Sequence, residues 1–131
     1  MLAADTNLIV RFLVDDHPSQ SAKARAAIES GEEIWVSNTV VLEAEWVLRG
    51  AYGHAKGLVL DALSKFVRLP VVRTEEPGRL AKAFDWAGRG LDFADALHLV
   101  AAEGCEAFLT FDDRLRRRAS RLDAVPVRSP G

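Results

Sequence analysis

The chain has 131 residues, 49% hydrophobic and 27% charged, with a formal net charge of −2 and a single cysteine. This length predicts one domain, 1–131, able to bury roughly two-thirds of its unfolded surface. The composition excludes a disordered chain, no apolar run reaches the ~18–20 residues of a membrane span, and the lone Cys105 excludes an internal disulfide framework.

In chain order, Leu2-Ala3-Ala4 reads as a short strand ending at Asp5. A helix follows over Asn7 to Val14, where Leu8, Ile9, Phe12 and Leu13 recur at helical spacing. A second helix runs from Pro18 to Glu29, with proline near its start and Gly31 past its end. Ile34-Trp35-Val36 is a strand, Ser37 an N-cap, and Thr39 to Arg49 a helix. Gly50 and Gly53 separate it from a helix at about Ala55 to Val67. Pro70 to Arg73 is a strand, Pro77 opens a helix to about Ala87, and Gly88-Arg89-Gly90 is a turn. Asp92 to Glu103 is helical and stops at Gly104; Ala107 to Thr110 is a strand, Asp113 to Arg121 a helix, and Val125-Pro126-Val127 an edge strand that tolerates proline. This alternation predicts an α/β fold.

Chemistry concentrates in the carboxylates. Asp5 follows the first strand, Asp112 lies beyond the strand ending at Thr110, and Asp92 and Asp95 open a helix after a glycine turn. Open α/β sheets bind ligands at the carboxyl ends of their strands. Each residue also has a structural reading: Asp5 as a helix cap, Asp92 as an N-cap completed by Asp95, and Asp113 as the cap of the arginine-rich helix. On the Thr39–Arg49 helix, Val40, Val41, Ala44, Val47 and Leu48 share one face, with Leu42 and Trp46 opposite, so two apolar faces are expected. Glu43 and Glu45 fall between them, and the pattern does not choose which is solvated.

Clustered carboxylates repel and tend to take up protons unless a cation neutralises them. Hard oxygen ligands suit Mg²⁺ or Mn²⁺. Zinc is disfavoured, since His17, His54 and His98 show no paired ligand spacing; His98 lies on a helix flank near Asp95. Phosphate-binding loops and nucleophile elbows are missing. From Arg114 onward six arginines face one acid, Asp123, either a solvated face or a patch that attracts a polyanion. Trp35, Trp46 and Trp86 read as core or interface packing.

Four stretches together resemble a known family. Leu2-Ala3-Ala4-Asp5-Thr6-Asn7 resembles the opening of PIN-domain proteins, and Val41 to Arg49 their second motif, with Glu43 three residues before Trp46. Asp92-Phe93-Ala94-Asp95-Ala96-Leu97-His98 is similar to the third and Thr110-Phe111-Asp112 to the fourth. The one departure near the site is Ala4, where a larger residue is common. The resemblance is closest to VapC-type toxins of toxin–antitoxin pairs. It implies a three-layer α/β/α fold with a central, mainly parallel sheet, and a Mg²⁺-dependent endoribonuclease in which Mn²⁺ substitutes. Asp5, Glu43, Asp95 and Asp112 are then the catalytic, metal-binding acids, with Asp92 an auxiliary metal ligand. Thr6 and Thr110 become candidates for orienting a water or a ligand carboxylate. It also implies an RNA substrate, a small cognate antitoxin and a homodimer. With no signal-like stretch after Met1, the cytoplasm is the expected compartment. The alternatives are a PIN nuclease that processes RNA without an antitoxin and a non-catalytic RNA-binding or assembly module. A phosphatase working through an aspartyl intermediate is disfavoured because Asn7 stands where its second aspartate is needed.

Overall fold

The computed structural model describes residues 1–131, which divide into two compact units, Met1–Pro77 and Gly78–Gly131.

The first unit contains β1 (Leu2–Ala3), α1 (Thr6–Val14), α2 (Pro18–Glu29), β2 (Ile34–Trp35), α3 (Asn38–Trp46), a π-helical turn at Val47–Ala51, α4 (Lys56–Val67) and β3 (Val72–Arg73). Its three strands pair in parallel in the order β1-β2-β3, with Leu2 opposite Ile34 and Ile34 opposite Val72. Local chemistry sets the helix ends. The Asp5 carboxylate accepts from the Leu8 amide at 3.0 Å to start α1, and Asp15 ends it at a left-handed φ of 57°. Pro18 occupies the first turn of α2, and Ser37 caps α3 by accepting from the Val40 amide at 3.3 Å.

The apolar sides of these helices meet in a core that includes Ile9, Val10, Val41, Leu48, Leu63 and Phe66, with Phe12 packed on Phe66 at 5.6 Å between ring centroids. Burying a side chain such as Phe66 or Leu63 contributes about 1.5–3 kcal/mol. Helix α3 departs from the expected two apolar faces. Its buried stripe is Val41, Ala44, Glu45 and Leu48, while Trp46 is 62% exposed. The α-helix also ends at Trp46, short of the expected Arg49, and the chain widens into the π turn that carries Gly50.

The second unit contains α5, which begins on Pro77 and runs to Gly88, then α6 (Phe93–Ala101), β4 (Phe108–Leu109), α7 (Asp113–Ala119) and β5 (Val127–Arg128). Strands β4 and β5 are parallel, with Phe108 opposite Val127. Phe84 stacks on Phe93 at 4.9 Å, and Leu80, Trp86, Leu99, Val100 and Leu115 complete this core. Gly90 turns the chain into α6 at φ 115°, a conformation that favours glycine.

The last strand lies later than the expected Val125–Val127. Pro126 has no amide to donate, and it contributes only its carbonyl, which accepts from the Phe108 amide at 2.8 Å. Helix α6 ends at Ala101, two residues before the expected Glu103, whose carboxylate instead pairs with Arg79 and Lys82. Every strand is two residues long, so the helices carry most of the packing. No helix is long and apolar enough to cross a membrane.

Candidate active site

In the first unit the chain leaves β1 straight into Asp5, whose Oδ1 is engaged by the Leu8 amide. Thr6 is buried, and its hydroxyl donates to the Glu43 carboxylate, tying the start of α1 to α3. Thr6 therefore positions a carboxylate, one of the two roles its sequence context offered. The choice between Glu43 and Glu45 follows from exposure. Glu45 is 2% exposed and bonded to Arg49 at 2.8 Å, so its charge is compensated inside the core. Glu43 is exposed and available to solvent.

In the second unit, Asp92, Asp95 and Asp112 line one cavity of about 160 Å³ together with Leu91, Arg114, Leu115 and Arg118. Asp92 stands at the N-cap position of α6 with extended backbone, yet its side chain makes no capping bond. The expected capping arrangement of Asp92 with Asp95 does not form. Asp95 is half-buried and its pKa is raised, first by burial and then by the negative charges of Asp92 and Asp112; His98 opposes the shift. Asp112, and not Asp113, caps α7, accepting from the Leu115 amide at 3.1 Å. Its own amide donates to the Thr110 hydroxyl at 3.0 Å, so Thr110 shapes the turn that presents Asp112. Asp113 pairs with Arg116.

Two residues of the cavity wall, Arg114 and Arg118, were not placed beside the acids by sequence reasoning. Their signal was available: they sit one turn apart on the helix that Asp112 caps.

The donor set within each unit is hard oxygen. His17 caps α2, His54 stacks on Tyr52, and neither stands with another histidine as a zinc pair would. No group of three or more His, Cys, Asp or Glu side chains is already arranged to hold a metal ion. The second unit nonetheless fits a divalent cation by its chemistry. Three carboxylates face one small cavity, and Asp95 is raised first by burial and then by the charges of Asp92 and Asp112, the second of which positive charge would relieve.

The sequence matches the PIN-domain family model over residues 3–120. The chain belongs to the PIN-domain family, a family of nucleases with the three-layer α/β/α fold that the four motifs implied. Five chains among solved structures are also similar to it. One is Mycobacterium tuberculosis VapC20, described as a Sarcin-Ricin loop cleaving toxin, with 19% identity, coverage of 88% of this chain and 92% of that one, and a TM-score of 0.44. No curated protein matches the chain in sequence.

Proposed function

We propose that the chain is a divalent-metal-dependent endoribonuclease that hydrolyses RNA phosphodiester bonds, acting as the toxin of a type II toxin–antitoxin pair. The observation that carries this reading is the cavity faced by Asp92, Asp95 and Asp112 in a PIN-family chain. Asp5, Glu43, Asp95 and Asp112 are assigned as catalytic and metal-binding, with Asp92 as an auxiliary ligand. Residues 1–131 are taken as a single PIN-like domain, because the family match runs through both units.

Bound Mg²⁺, or Mn²⁺ in its place, would supply Lewis acidity at the phosphodiester and a water of lowered pKa. The chain's own groups do the rest. Thr6 holds Glu43 in one orientation, and the α7 cap and the Thr110 turn hold Asp112. Arg114 and Arg118 provide positive charge on the cavity wall, where negative charge develops on phosphate oxygens during attack. The toxin assignment rests on the likeness of the four motifs to VapC-type proteins. It brings with it a small antitoxin, a homodimer and a cytoplasmic location.

The test is cleavage of a labelled RNA with manganese or EDTA, alongside calorimetric titration of manganese into the RNA-free protein. Wild type is expected to cut only with the metal and to bind it. Asp5→Asn and Asp95→Asn are expected to remove cleavage and weaken metal binding while unfolding stays cooperative. Full activity in Asp5→Asn removes the role assigned to that residue. A wild type that neither binds metal nor cuts is a non-catalytic module. Growth arrest on expression, rescued by a neighbouring antitoxin gene, tests the toxin assignment separately.

A further inference from the structure

Helices α1 and α2 border a cavity of about 290 Å³ that the catalytic reading leaves unused, lined by Asn7, Leu8 and Arg11 from α1 and by Gln20, Lys23 and Ala24 from α2. Both sets follow helical spacing, so each helix turns one face to it. The volume lies just below the ~300 Å³ at which small-molecule sites begin, room for one ligand unit and not for a helix. The cavity starts on the first turn of α1, the turn whose Leu8 amide the Asp5 carboxylate holds.

The polar groups of this wall divide into those the fold has engaged and those it has not. The Arg11 Nε donates to Gln20 Oε1 at 2.8 Å, and its Nη1 donates to Asp16 at 3.2 Å and to the Tyr52 hydroxyl at 3.0 Å. Asp16 balances the charge of Arg11, and Arg11 fixes Gln20: with Oε1 already accepting, the NH₂ half of that amide is left to donate. Lys23 is exposed and forms no ion pair. Asn7 is exposed as well, and its side chain neither caps α1 nor bonds to a neighbour. No carboxylate lines the cavity. The free set is one cation, one amide donor and one amide that both donates and accepts, beside half-buried Leu8 and buried Ala24.

A bare phosphate or carboxylate would use Lys23 and Gln20 and leave Asn7 and the apolar floor idle. An acidic peptide segment would need more than one free cation. A nucleotide uses every group. We propose that the α1–α2 cavity is a nucleotide subsite that takes one adenine nucleotide. Its phosphate accepts from Lys23 and Gln20 on the α2 side, and its base lies against Leu8 and Ala24. Asn7 pairs with the base edge, where adenine N6 donates to the amide oxygen while N7 accepts from the amide nitrogen. Phosphate contacts position the ligand and the Asn7 contact specifies it. The ligand is either a residue of an RNA strand, which rests on the nuclease reading, or a free nucleotide, which does not.

The experiment follows backbone amide shifts of the full chain by NMR in EDTA while AMP, UMP or inorganic phosphate is added. AMP is expected to move the amides around Leu8 and Lys23 and to bind roughly 5- to 150-fold more tightly than UMP, the range that one paired base edge gives. Asn7→Ala is expected to bring AMP to within twofold of UMP, and Lys23→Ala to weaken both; each position is exposed, so the fold is kept. Shifts confined to other regions, equal affinity for AMP and UMP or for AMP and phosphate, or an unchanged ratio in Asn7→Ala overturns the proposal. Hexaglutamate that displaces AMP at equal concentration also overturns it, and assigns the cavity to an acidic protein segment. The source of the nucleotide is read with manganese on a short uridine strand carrying one adenosine. Cuts gathered beside the adenosine in wild type and spread along the strand in Asn7→Ala make the ligand a residue of the substrate. Cuts indifferent to the adenosine, with AMP still bound, make it a free nucleotide. AMP binding in the expected pattern with no cleavage of the strand upholds the subsite and defeats the nuclease reading.

Discussion

In the first unit Glu43 meets a donor, the Thr6 hydroxyl, and Asp5 meets the Leu8 amide. In the second, Asp95 has Asp92 and Asp112 as neighbours, and of these three carboxylates only Asp112 has a backbone amide to engage. One pair of acids is held in place by hydrogen bonds made as the chain folds. In the other set Asp95 is shifted toward its protonated form, first by burial and then by the charges of Asp92 and Asp112. Position is built into the first group and affinity for positive charge into the second.

The largest test of this contrast is to remove charge from the repelling group. Asp112→Asn is expected to reduce manganese-dependent RNA cleavage to background while leaving the chain folded, because an amide oxygen still accepts from the Leu115 amide. Circular dichroism separates this outcome from loss of the α7 cap. Next in size is removal of position without charge. Thr6→Val deletes the hydroxyl that holds Glu43 and keeps the side-chain volume; a loss of roughly 10- to 100-fold in cleavage rate is expected, the usual scale for partners that orient a ligand. A rate within twofold of wild type would mean that Glu43 needs no such support.

A third prediction concerns stability, and its sign is opposite to most site mutations. A carboxyl whose pKa is higher in the folded than in the unfolded chain binds more protons when folded. Its favourable contribution is then present at low pH and lost as pH rises through the raised value. Asp95 is such a group, so Asp95→Asn is expected to raise the Tm of the metal-free protein at pH 7. The gain should shrink as pH falls below the ordinary carboxyl range; thermal melts from pH 3 to pH 7 read it directly. Added manganese should stabilise wild type and not the variant.

The smallest effect is the reverse case. Glu103 is held below its usual value by its hydrogen bond to Lys82, then by Arg79. Its contribution is present above the ordinary carboxyl range and lost as pH falls through the lowered value. Because Glu103 lies at the solvent-exposed surface, Glu103→Gln is expected to lower Tm only slightly at pH 7 and not at all in acid. A large drop would move that ion pair from the surface into the stabilising core.

The starts of α1, α2 and α3 were legible in the sequence because they depend on local chemistry. Ser37, Pro18 and Asp5 act within three or four residues of themselves, and the structure places each in the expected role. The order of Asp5, Asp95 and Asp112 at the ends of strands and starts of helices was visible for the same reason. What escaped depends on partners distant along the chain or on which of two neighbours the backbone chooses. Glu43 and Glu45 occupy similar places in the apolar pattern, and exposure together with the Thr6 and Arg49 contacts separates them. Asp112 and Asp113 are both good caps, and the Thr110 turn places the first of them at the cap position. The outward turn of Trp46 followed from the same cause: the core-facing stripe of α3 admits Glu45 because Arg49 accompanies it.

The brevity of the strands has a consequence for how the molecule breathes. A two-residue ladder protects few amides, and neither pair of edges is long enough to resist opening alone. Hydrogen exchange should therefore find its slowest protons in the interior turns of α4 and α6, around Leu63 and Leu99, and not between the strands. Within each unit the strands set direction, while the helices set the lifetime of the folded state.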